Sequence, residues 1–180
     1  MAPTRDRYCH VCGSKFPEPL AYPRTCPACK TQVWANPIPV AVAIVPVGDG
    51  VLVVKRGIPP GLGKLALVGG FIEATESWQV GMAREVREET NVEVDPASIT
   101  LLTIASSAPV PNRVLIFGVT APIDTLPPFV ANAETQARGV IFGPGGIDAE
   151  FAFSLHAEAT RAYFASRGFD PQRPHAFVAR

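Results

Sequence analysis

Three glutamates lie close together in the middle of the chain, within the segment Arg-Glu-Val-Arg-Glu-Glu. They are Glu85, Glu88 and Glu89, and on an α-helix their spacing places all three side chains on one face. Like charges on one face repel each other, so the cluster becomes favourable when divalent cations bind to it. Carboxylate oxygens suit Mg²⁺ and Mn²⁺, which hold phosphate groups and activate water. The spacing alone leaves a second interpretation open, an ordinary charged surface helix that Arg84 and Arg87 partly neutralise.

The cysteines form two Cys-x-x-Cys pairs separated by thirteen residues: Cys9 with Cys12, and Cys26 with Cys29. Each pair places two thiolates on one tight turn, and two such turns supply the four ligands of a tetrahedral zinc ion. Four thiolates leave no position for water, so the predicted zinc is structural. Two disulfides are an alternative that a reducing compartment disfavours, and a redox pair would explain only one of the two motifs. His10 is interpreted as an exposed turn residue.

The residues around the glutamates resemble the Nudix box, Gly-x5-Glu-x7-Arg-Glu-U-x-Glu-Glu-x-Gly-U, where U is a bulky aliphatic residue. The positions in register are Gly70, Glu76, Arg84, Glu85, Val86, Glu88, Glu89 and Val92. Asn91 replaces the last glycine of the signature, and asparagine is the residue that best tolerates the left-handed conformation after glycine. A second departure is Leu65-Ala-Leu-Val68, where relatives often carry Trp and Pro. Neither departure removes a metal ligand.

The resemblance implies roles for individual residues. In Nudix hydrolases the glutamates that match Glu85, Glu88 and Glu89 bind divalent metals, and one of them helps to activate water. Arg84 and Glu76 resemble the internal pair that orients the loop and helix. The residue before the signature glycine, here Gly69, often offers its carbonyl to a metal, and a downstream acidic residue commonly completes the site. Glu134 is the candidate for that position, with Asp148 and Glu150 as competitors.

The combination of a zinc ribbon with a Nudix domain is similar to the NADH pyrophosphatase group and to relatives that act on FAD or ADP-ribose. The resemblance implies Mg²⁺ or Mn²⁺ as catalytic cofactor, Zn²⁺ as structural cofactor, and cleavage of the diphosphate linkage in a nucleoside diphosphate derivative, releasing a nucleoside monophosphate. NADH pyrophosphatases carry a Ser-Gln-Pro-Trp stretch after the box, which residues 106–113 lack. The alternatives are a hydrolase of nucleoside triphosphates or capped RNA and a non-catalytic nucleotide-binding module.

Candidate substrate-binding residues lie outside the box. Arg56, with Lys55, ends a predicted strand and could contact phosphate, although a solvated pair explains both residues nearly as well. Phe117, Phe151 and Phe153 are candidates for stacking on a base, or core residues. The chain of 180 residues has no formal net charge, so a broad nucleic-acid surface is not expected.

Apolar runs are too short for a membrane span, and the first ten residues lack an apolar signal core. We therefore expect a cytoplasmic protein with a small-molecule nucleotide substrate and no membrane partner. The resemblance also suggests a homodimer.

The predicted fold class is α/β, a Nudix fold with a mixed sheet in an α/β/α sandwich and a small N-terminal zinc ribbon. We predict the ribbon over residues 1–36, the Nudix domain over residues 37–168 and a loosely held tail over residues 169–180. The turn Gly48-Asp49-Gly50 predicts a hairpin between its flanking strands. Hydrophobic patterns predict strands at Val40–Val47, Val51–Lys55, Leu65–Val68, Phe71–Ile72, Ile99–Ala105, Val114–Val119 and Val140–Phe142, and helices at Glu76–Thr90 and Phe153–Ser166.

Overall fold

The computed structural model describes residues 7–18, 22–109 and 112–180. It divides the chain into two compact units, Met1–Pro37 and Ile38–Arg180. The predicted limits 1–36, 37–168 and 169–180 remain predictions. The described part of the chain contains no helix with the length and apolar character needed to cross a membrane.

The N-terminal unit is built from very short antiparallel elements. Strand β1 (Arg24–Thr25) pairs with β2 (Gln32–Val33), and a single bridge joins Tyr8 to Lys15. Among the residues of this unit that the structure describes, few are buried: Cys9, Phe16, Cys26 and Val33. A core of this size does not offset the conformational entropy lost on folding, so such units usually depend on a bound metal.

The larger unit contains nine strands and two α-helices among its described residues, and most of them match predicted segments. They are β3 (Ile38–Ile44), β4 (Pro46–Val47), β5 (Gly50–Arg56), β6 (Leu65–Ala66), β7 (Val68–Phe71), α1 (Trp78–Thr90), β8 (Thr100–Ser106), β9 (Arg113–Val119), β10 (Thr135–Phe142), α2 (Ser154–Ser166) and β11 (Ala176–Ala179). Short 3-10 turns lie at Pro96–Ser98 and Ile147–Ala149.

The strands of this unit form two sheets. The four-stranded sheet has the order β7-β3-β9-β8, with β3 and β9 parallel and the other neighbours antiparallel. The five-stranded sheet has the order β11-β10-β5-β4, with β6 also paired to β5, and all its pairs are antiparallel. A mixed sheet combined with two helices confirms the predicted α/β class.

Strands β3 and β5 are buried on both faces, which explains their continuous apolar sequences. Val42 and Ile44 of β3 pack in one core with residues of α2, such as Phe164. The alternate residues of β3, Ala41 and Ala43, pack in a second core with residues of α1. The strands therefore lie between the two helices, and α1 is held firmly against the β3–β7 edge.

Three sequence predictions differ from the structure. The hairpin across Gly48-Asp49-Gly50 exists, but only Pro46–Val47 takes part in it, because β3 pairs with β7 and β9 of the other sheet. The segment Leu65–Val68 forms two strands, because the chain passes from the five-stranded to the four-stranded sheet between Ala66 and Val68. The tail is not loosely held throughout, since Ala176–Ala179 forms a strand hydrogen-bonded to β10.

Candidate functional site

Helix α1 carries the three glutamates, and local interactions define both of its ends. Ser77 caps the N-terminus by accepting a hydrogen bond from the Val80 amide at 3.3 Å. Asn91 ends the helix in the left-handed conformation with φ 59°, and its amide donates to the Arg87 carbonyl. The structure confirms that asparagine takes the conformation that the signature assigns to glycine.

Arg84 links the start of the site to its carboxylates. Its Nη2 lies 2.7 Å from Glu76 Oε1, and its Nη1 lies 2.8 Å from Glu85 Oε1 and 3.3 Å from Glu88 Oε2. Nη2 also donates to the Phe71 carbonyl at 3.0 Å. These hydrogen bonds lower the pKa of Glu76 and raise that of Arg84, so this pair stays ionised. The structure thus brings together the pair predicted to orient the loop and the helix.

The Gly69-Gly70 pair allows β7 to approach both β3 and α1. A Cβ on Gly69 would overlap the Ala41 carbonyl, and a Cβ on Gly70 would overlap the Glu85 carboxylate. The Gly69 amide also donates to Glu89 Oε2 at 3.4 Å. Glycine is therefore required at position 69 by a close contact with the backbone of β3, whereas a Cβ at position 70 would displace the Glu85 side chain.

The carboxylate face of α1 borders a cavity of about 260 Å³. The residues that line it are Glu85, Glu88, Glu89, Asn132, Ala133 and Glu134. Glu134 thus lies on the same cavity as the three helix glutamates. Its competitors do not line this cavity, and Asp148 is instead paired with Arg161 at 2.6 Å.

The electrostatics of the cavity show an excess of negative charge. Burial and the neighbouring charge of Glu85 raise the pKa of Glu89 to about 8, in spite of the hydrogen bond from Gly69. Burial also raises the pKa of Glu85, although Arg84 opposes that effect. The charge of Glu134 raises the pKa of both groups. Without a cation, the site therefore keeps a proton on at least one carboxyl group near neutral pH.

This donor set fits Mg²⁺ or Mn²⁺, since it offers several carboxylate oxygens around a polar cavity large enough for a hydrated ion. A bound cation would take the place of the proton and remove the repulsion between the carboxylates. Among the described residues, the ligand atoms of the four cysteines already converge, whereas the carboxylates line a wider space. Arg84 Nη1 lies between Glu85 and Glu88, and leaves the second oxygen of each carboxylate free for other partners.

The two predicted substrate-binding residues lie in different surroundings. Arg56 lies beside Thr135 in the β5–β10 register, and its charge lowers the pKa of Glu89, so it faces the same region as the carboxylates. Its guanidinium lies over the Phe153 ring at 5.0 Å. Phe117 is 1% exposed within the core on the α2 side, which leaves no ring face for a base. The prediction that Phe117 stacks on substrate is wrong, and Phe151 is buried in the same core.

Sequence reasoning missed three residues near the site. Asn132 lines the carboxylate cavity, and Arg138 is a buried arginine that donates to carbonyls of Thr90 and Pro127, both at 2.6 Å. His156 is buried, and its Nδ1 accepts from the Leu67 amide at 3.2 Å. Its burial lowers its pKa to about 3, so its imidazole is neutral. These contacts join residues far apart in the sequence, so no local motif indicates them.

The four cysteines of the N-terminal unit are free thiols gathered in one cluster. All four Sγ atoms lie within 4.8 Å of one another, and the closest pairs, Cys9–Cys29 and Cys12–Cys26, are 3.7 and 3.6 Å apart. Four sulfurs at the ~2.3 Å bond length of tetrahedral zinc would be about 3.8 Å apart. Two of the pairs match this distance, and the other pairs, which lie within 4.8 Å, need only a small contraction to hold zinc. His10 is exposed, as expected for a turn residue.

The two Cys-x-x-Cys turns have the same backbone design. Gly13 and Lys30, each directly after a pair, have φ of 73° and 63°. Their amides donate to the carbonyls of Cys9 and Cys26 at 2.8 and 2.9 Å. The Cys12 Sγ lies 3.4 Å from the Ser14 hydroxyl, and hydrogen bonds with the side chain and backbone of Ser14 lower the pKa of Cys12 to about 6. This favours the thiolate form that a metal requires.

Comparison with known proteins finds relatives of the larger unit. The model of the NUDIX domain matches residues 37–138. A curated relative, the NAD-capped RNA hydrolase NudC of Stutzerimonas stutzeri (strain A1501), is 33% identical over 98 residues, which cover 52% of this chain and 34% of the relative. The match thus spans about a third of the relative's length.

Solved structures give a longer match. A NUDIX hydrolase from Nitrosomonas europaea is 26% identical with a TM-score of 0.68, and the match covers 90% of this chain and 92% of the other. A bifunctional NMN adenylyltransferase/ADP ribose pyrophosphatase from Francisella tularensis, complexed with AMP and a manganese ion, is 21% identical with a TM-score of 0.52, covering 74% and 41%. The family model covers more than half of this chain, and the chain belongs to the NUDIX domain family.

Proposed function

We propose that this protein is a metal-dependent hydrolase that cleaves the diphosphate linkage of a nucleoside diphosphate derivative, of the ADP-ribose, NAD(H) or FAD type, and releases a nucleoside monophosphate. The observation that carries the proposal is the cavity lined by Glu85, Glu88, Glu89 and Glu134. Intact carboxylates that repel each other are a cost that a simple binding module has no reason to keep.

In this proposal the side chains of the site have separate roles. Glu85, Glu88, Glu89 and Glu134, with the Gly69 carbonyl, hold Mg²⁺ or Mn²⁺, which neutralises phosphate charge and activates water when bound. Arg84 and Glu76 keep α1 and the preceding loop in register through the contacts of Arg84 with the glutamates. In the metal-free site Glu89 is the carboxylate that most readily holds a proton, since its pKa is about 8, and a bound cation would take the place of that proton.

Arg56 is the proposed contact to the substrate phosphate. It reaches the region of Glu89 from β5 and is held by its own hydrogen bond, Nε to the Pro60 carbonyl at 2.8 Å. A guanidinium already fixed by a backbone carbonyl loses little further freedom when it binds an anion. Lys55 is exposed beside it, and the solvated interpretation remains for that residue.

A second candidate substrate is RNA that carries an NAD cap. The observation that favours it is the 33% identity to a protein named as an NAD-capped RNA hydrolase. The bond cleaved would be the same diphosphate, so the metal chemistry is common to both candidates. The lack of formal net charge favours the small molecule, because RNA binding usually requires a basic surface. Residues 110 and 111, in the segment that lacks Ser-Gln-Pro-Trp, lie outside the described residues.

A turnover panel tests the proposal. Purified protein is incubated with ADP-ribose, NADH, FAD, NAD-capped RNA and nucleoside triphosphates, each with Mg²⁺ or Mn²⁺, and the products are separated by chromatography. We expect AMP from at least one of the diphosphate-linked small molecules. Turnover of triphosphates alone would contradict the proposed substrate class and leave the metal site intact.

We further propose that the cysteine cluster holds one structural Zn²⁺ per chain, that the protein acts in the cytoplasm, and that it forms a homodimer.

A further inference from the structure

Glu134 lies in a turn whose backbone is fixed by a single asparagine. Asn132 Oδ1 accepts hydrogen bonds from the amides of Glu134 and Thr135, at 2.9 and 2.8 Å. The backbone amide of Asn132 in turn donates to the Thr135 carbonyl at 3.0 Å. Two acceptor bonds from one side chain define the direction in which the next residues leave the turn. The orientation of Glu134 therefore depends on Asn132.

The same asparagine also reaches helix α1. Its Nδ2 donates to the Glu88 carbonyl at 3.4 Å, so one side chain touches both the turn with Glu134 and the helix with the other carboxylates. The far side of the turn is fixed as well, because the Gly57 amide donates to the Glu134 carbonyl at 2.6 Å. A Cβ on Gly57 would overlap the Ala133 carbonyl. The Glu134 turn, residues 132–135, is thus attached to α1 on one side and to the end of β5 on the other.

Two further contacts attach the preceding segment to the C-terminal end of α1. Asn91 Nδ2 donates to the Pro128 carbonyl at 3.1 Å, a bond that the glycine of the family signature cannot make. Arg138 bridges the Thr90 and Pro127 carbonyls. A cation at this position also interacts favourably with the negative end of the helix dipole. The segment that leads to Asn132 is therefore anchored independently of the turn itself.

We propose that Asn132 is a positioning residue, which directs the Glu134 carboxylate towards the cation held by the α1 glutamates. This inference rests on the proposed function, since it requires a metal at the carboxylates. Asn132 need not touch the metal or the substrate. It acts through Glu134, as the hydrogen-bond partners of metal ligands commonly do, and the loss of such a partner lowers metal affinity by about 10–100-fold.

The test is a direct titration with Mn²⁺, followed by the electron paramagnetic resonance signal of the free ion, on the full chain with its zinc retained. Asn132→Ala is expected to weaken Mn²⁺ binding by about tenfold or more. Asn132→Ser keeps a neutral, weaker acceptor for the Glu134 and Thr135 amides and should lose less affinity than Asn132→Ala. Asp170→Ala is the matched control. Asp170 Oδ1 accepts from the Gln172 amide at 2.8 Å in an exposed turn, so its loss removes a similar bond far along the chain and should change Mn²⁺ affinity by less than about twofold.

A double-mutant cycle separates positioning from general loosening. If Asn132 acts through Glu134, Asn132→Ala should have almost no further effect in a Glu134→Gln background, whereas independent effects would add. Urea unfolding of each variant verifies that the protein is folded at the titration temperature. Additive losses of Mn²⁺ affinity in the double mutant, or wild-type affinity in Asn132→Ala, would overturn this inference. The proposed function would still stand if Glu89→Gln weakens Mn²⁺ binding. Wild-type protein that binds no Mn²⁺ would overturn the proposed function and this inference together.

Discussion

Replacement of Glu89 by glutamine should make the metal-free protein more stable while it removes most of the activity. The pKa of Glu89 is about 8 in the folded protein, against an ordinary value of 4.5. The folded protein therefore binds more protons than the unfolded chain between these pH values. The contribution of this group to stability is complete below pH 4.5 and is lost as the pH rises through 8. The metal-free wild type should become less stable over that range.

The size of the effect follows from the two pKa values. Each pH unit between 4.5 and 8 is worth about 1.4 kcal/mol, so the full cost of ionising Glu89 is at most about 5 kcal/mol. Water that enters the cavity reduces this cost, and we expect about 2 kcal/mol. Glutamine carries no charge, and its side-chain oxygen can still accept the hydrogen bond from the Gly69 amide. The variant should therefore match the wild type near pH 4.5 and exceed it by about 2 kcal/mol at pH 8.5.

Urea unfolding at pH 5.0, 7.0 and 8.5, in buffer free of Mg²⁺ and Mn²⁺, measures this difference. Glu88→Gln is the matched control, since the Glu88 side chain is 52% exposed and its loss should change stability by less than about 0.5 kcal/mol. Saturating Mn²⁺ should reverse the order, because a ligand at 100 times its Kd stabilises the wild type by about 2.7 kcal/mol. Both variants should lose about 10²–10³-fold in rate. A stability difference that does not depend on pH would refute the reasoning.

Three other predictions concern different parts of the molecule. Gly70→Ala places a methyl group on the Glu85 carboxylate and should lower kcat by about 10²-fold with the fold retained by circular dichroism; wild-type kcat would show that the close contact is unimportant. Cys26→Ser should lower bound zinc well below one per chain by elemental analysis and reduce solubility, with a smaller effect on turnover; unchanged zinc content would exclude the cysteine site. The folded pKa of His156 is about 3, below its ordinary 6.5, so stability is complete above pH 6.5 and falls as the pH decreases towards 3. His156→Gln should reduce the loss between pH 7.5 and 4.5 by about 2 kcal/mol in urea unfolding, and an equal loss in both proteins would show that other groups cause it.

The sequence predicts the parts of the site that depend on residue type at fixed spacing. Glu85, Glu88 and Glu89 share one helix face because the helical period fixes their directions. Each Cys-x-x-Cys turn places two thiolates together for a similar local reason, Cys9 with Cys12 and Cys26 with Cys29. In both cases a few adjacent residues define the geometry, so the pattern is readable without a fold.

Other features depend on partners that are distant in the sequence. The run from Val40 to Val47 is apolar throughout, so nothing in it shows that β3 pairs with β7 and β9 and leaves only two residues for the hairpin. The sequence around Phe117 does not show whether its ring faces a ligand or the core. The contacts of Asn132 and Arg138 with α1 cross more than forty residues, and only the folded chain reveals them.

The most direct test of the account is hydrolysis of ADP-ribose in ¹⁸O-labelled water with Mn²⁺, with the products identified by mass spectrometry. We predict AMP and ribose 5-phosphate in equal amounts, with one ¹⁸O atom in the phosphate of one product and none in the other, because water attacks a single phosphorus. The reaction should stop when the divalent cation is removed and fall by about 10²–10³-fold in Glu89→Gln. Cleavage at the wild-type rate in Glu89→Gln or without divalent cation, or intact ADP-ribose, NADH and FAD after prolonged incubation with Mn²⁺, would contradict it.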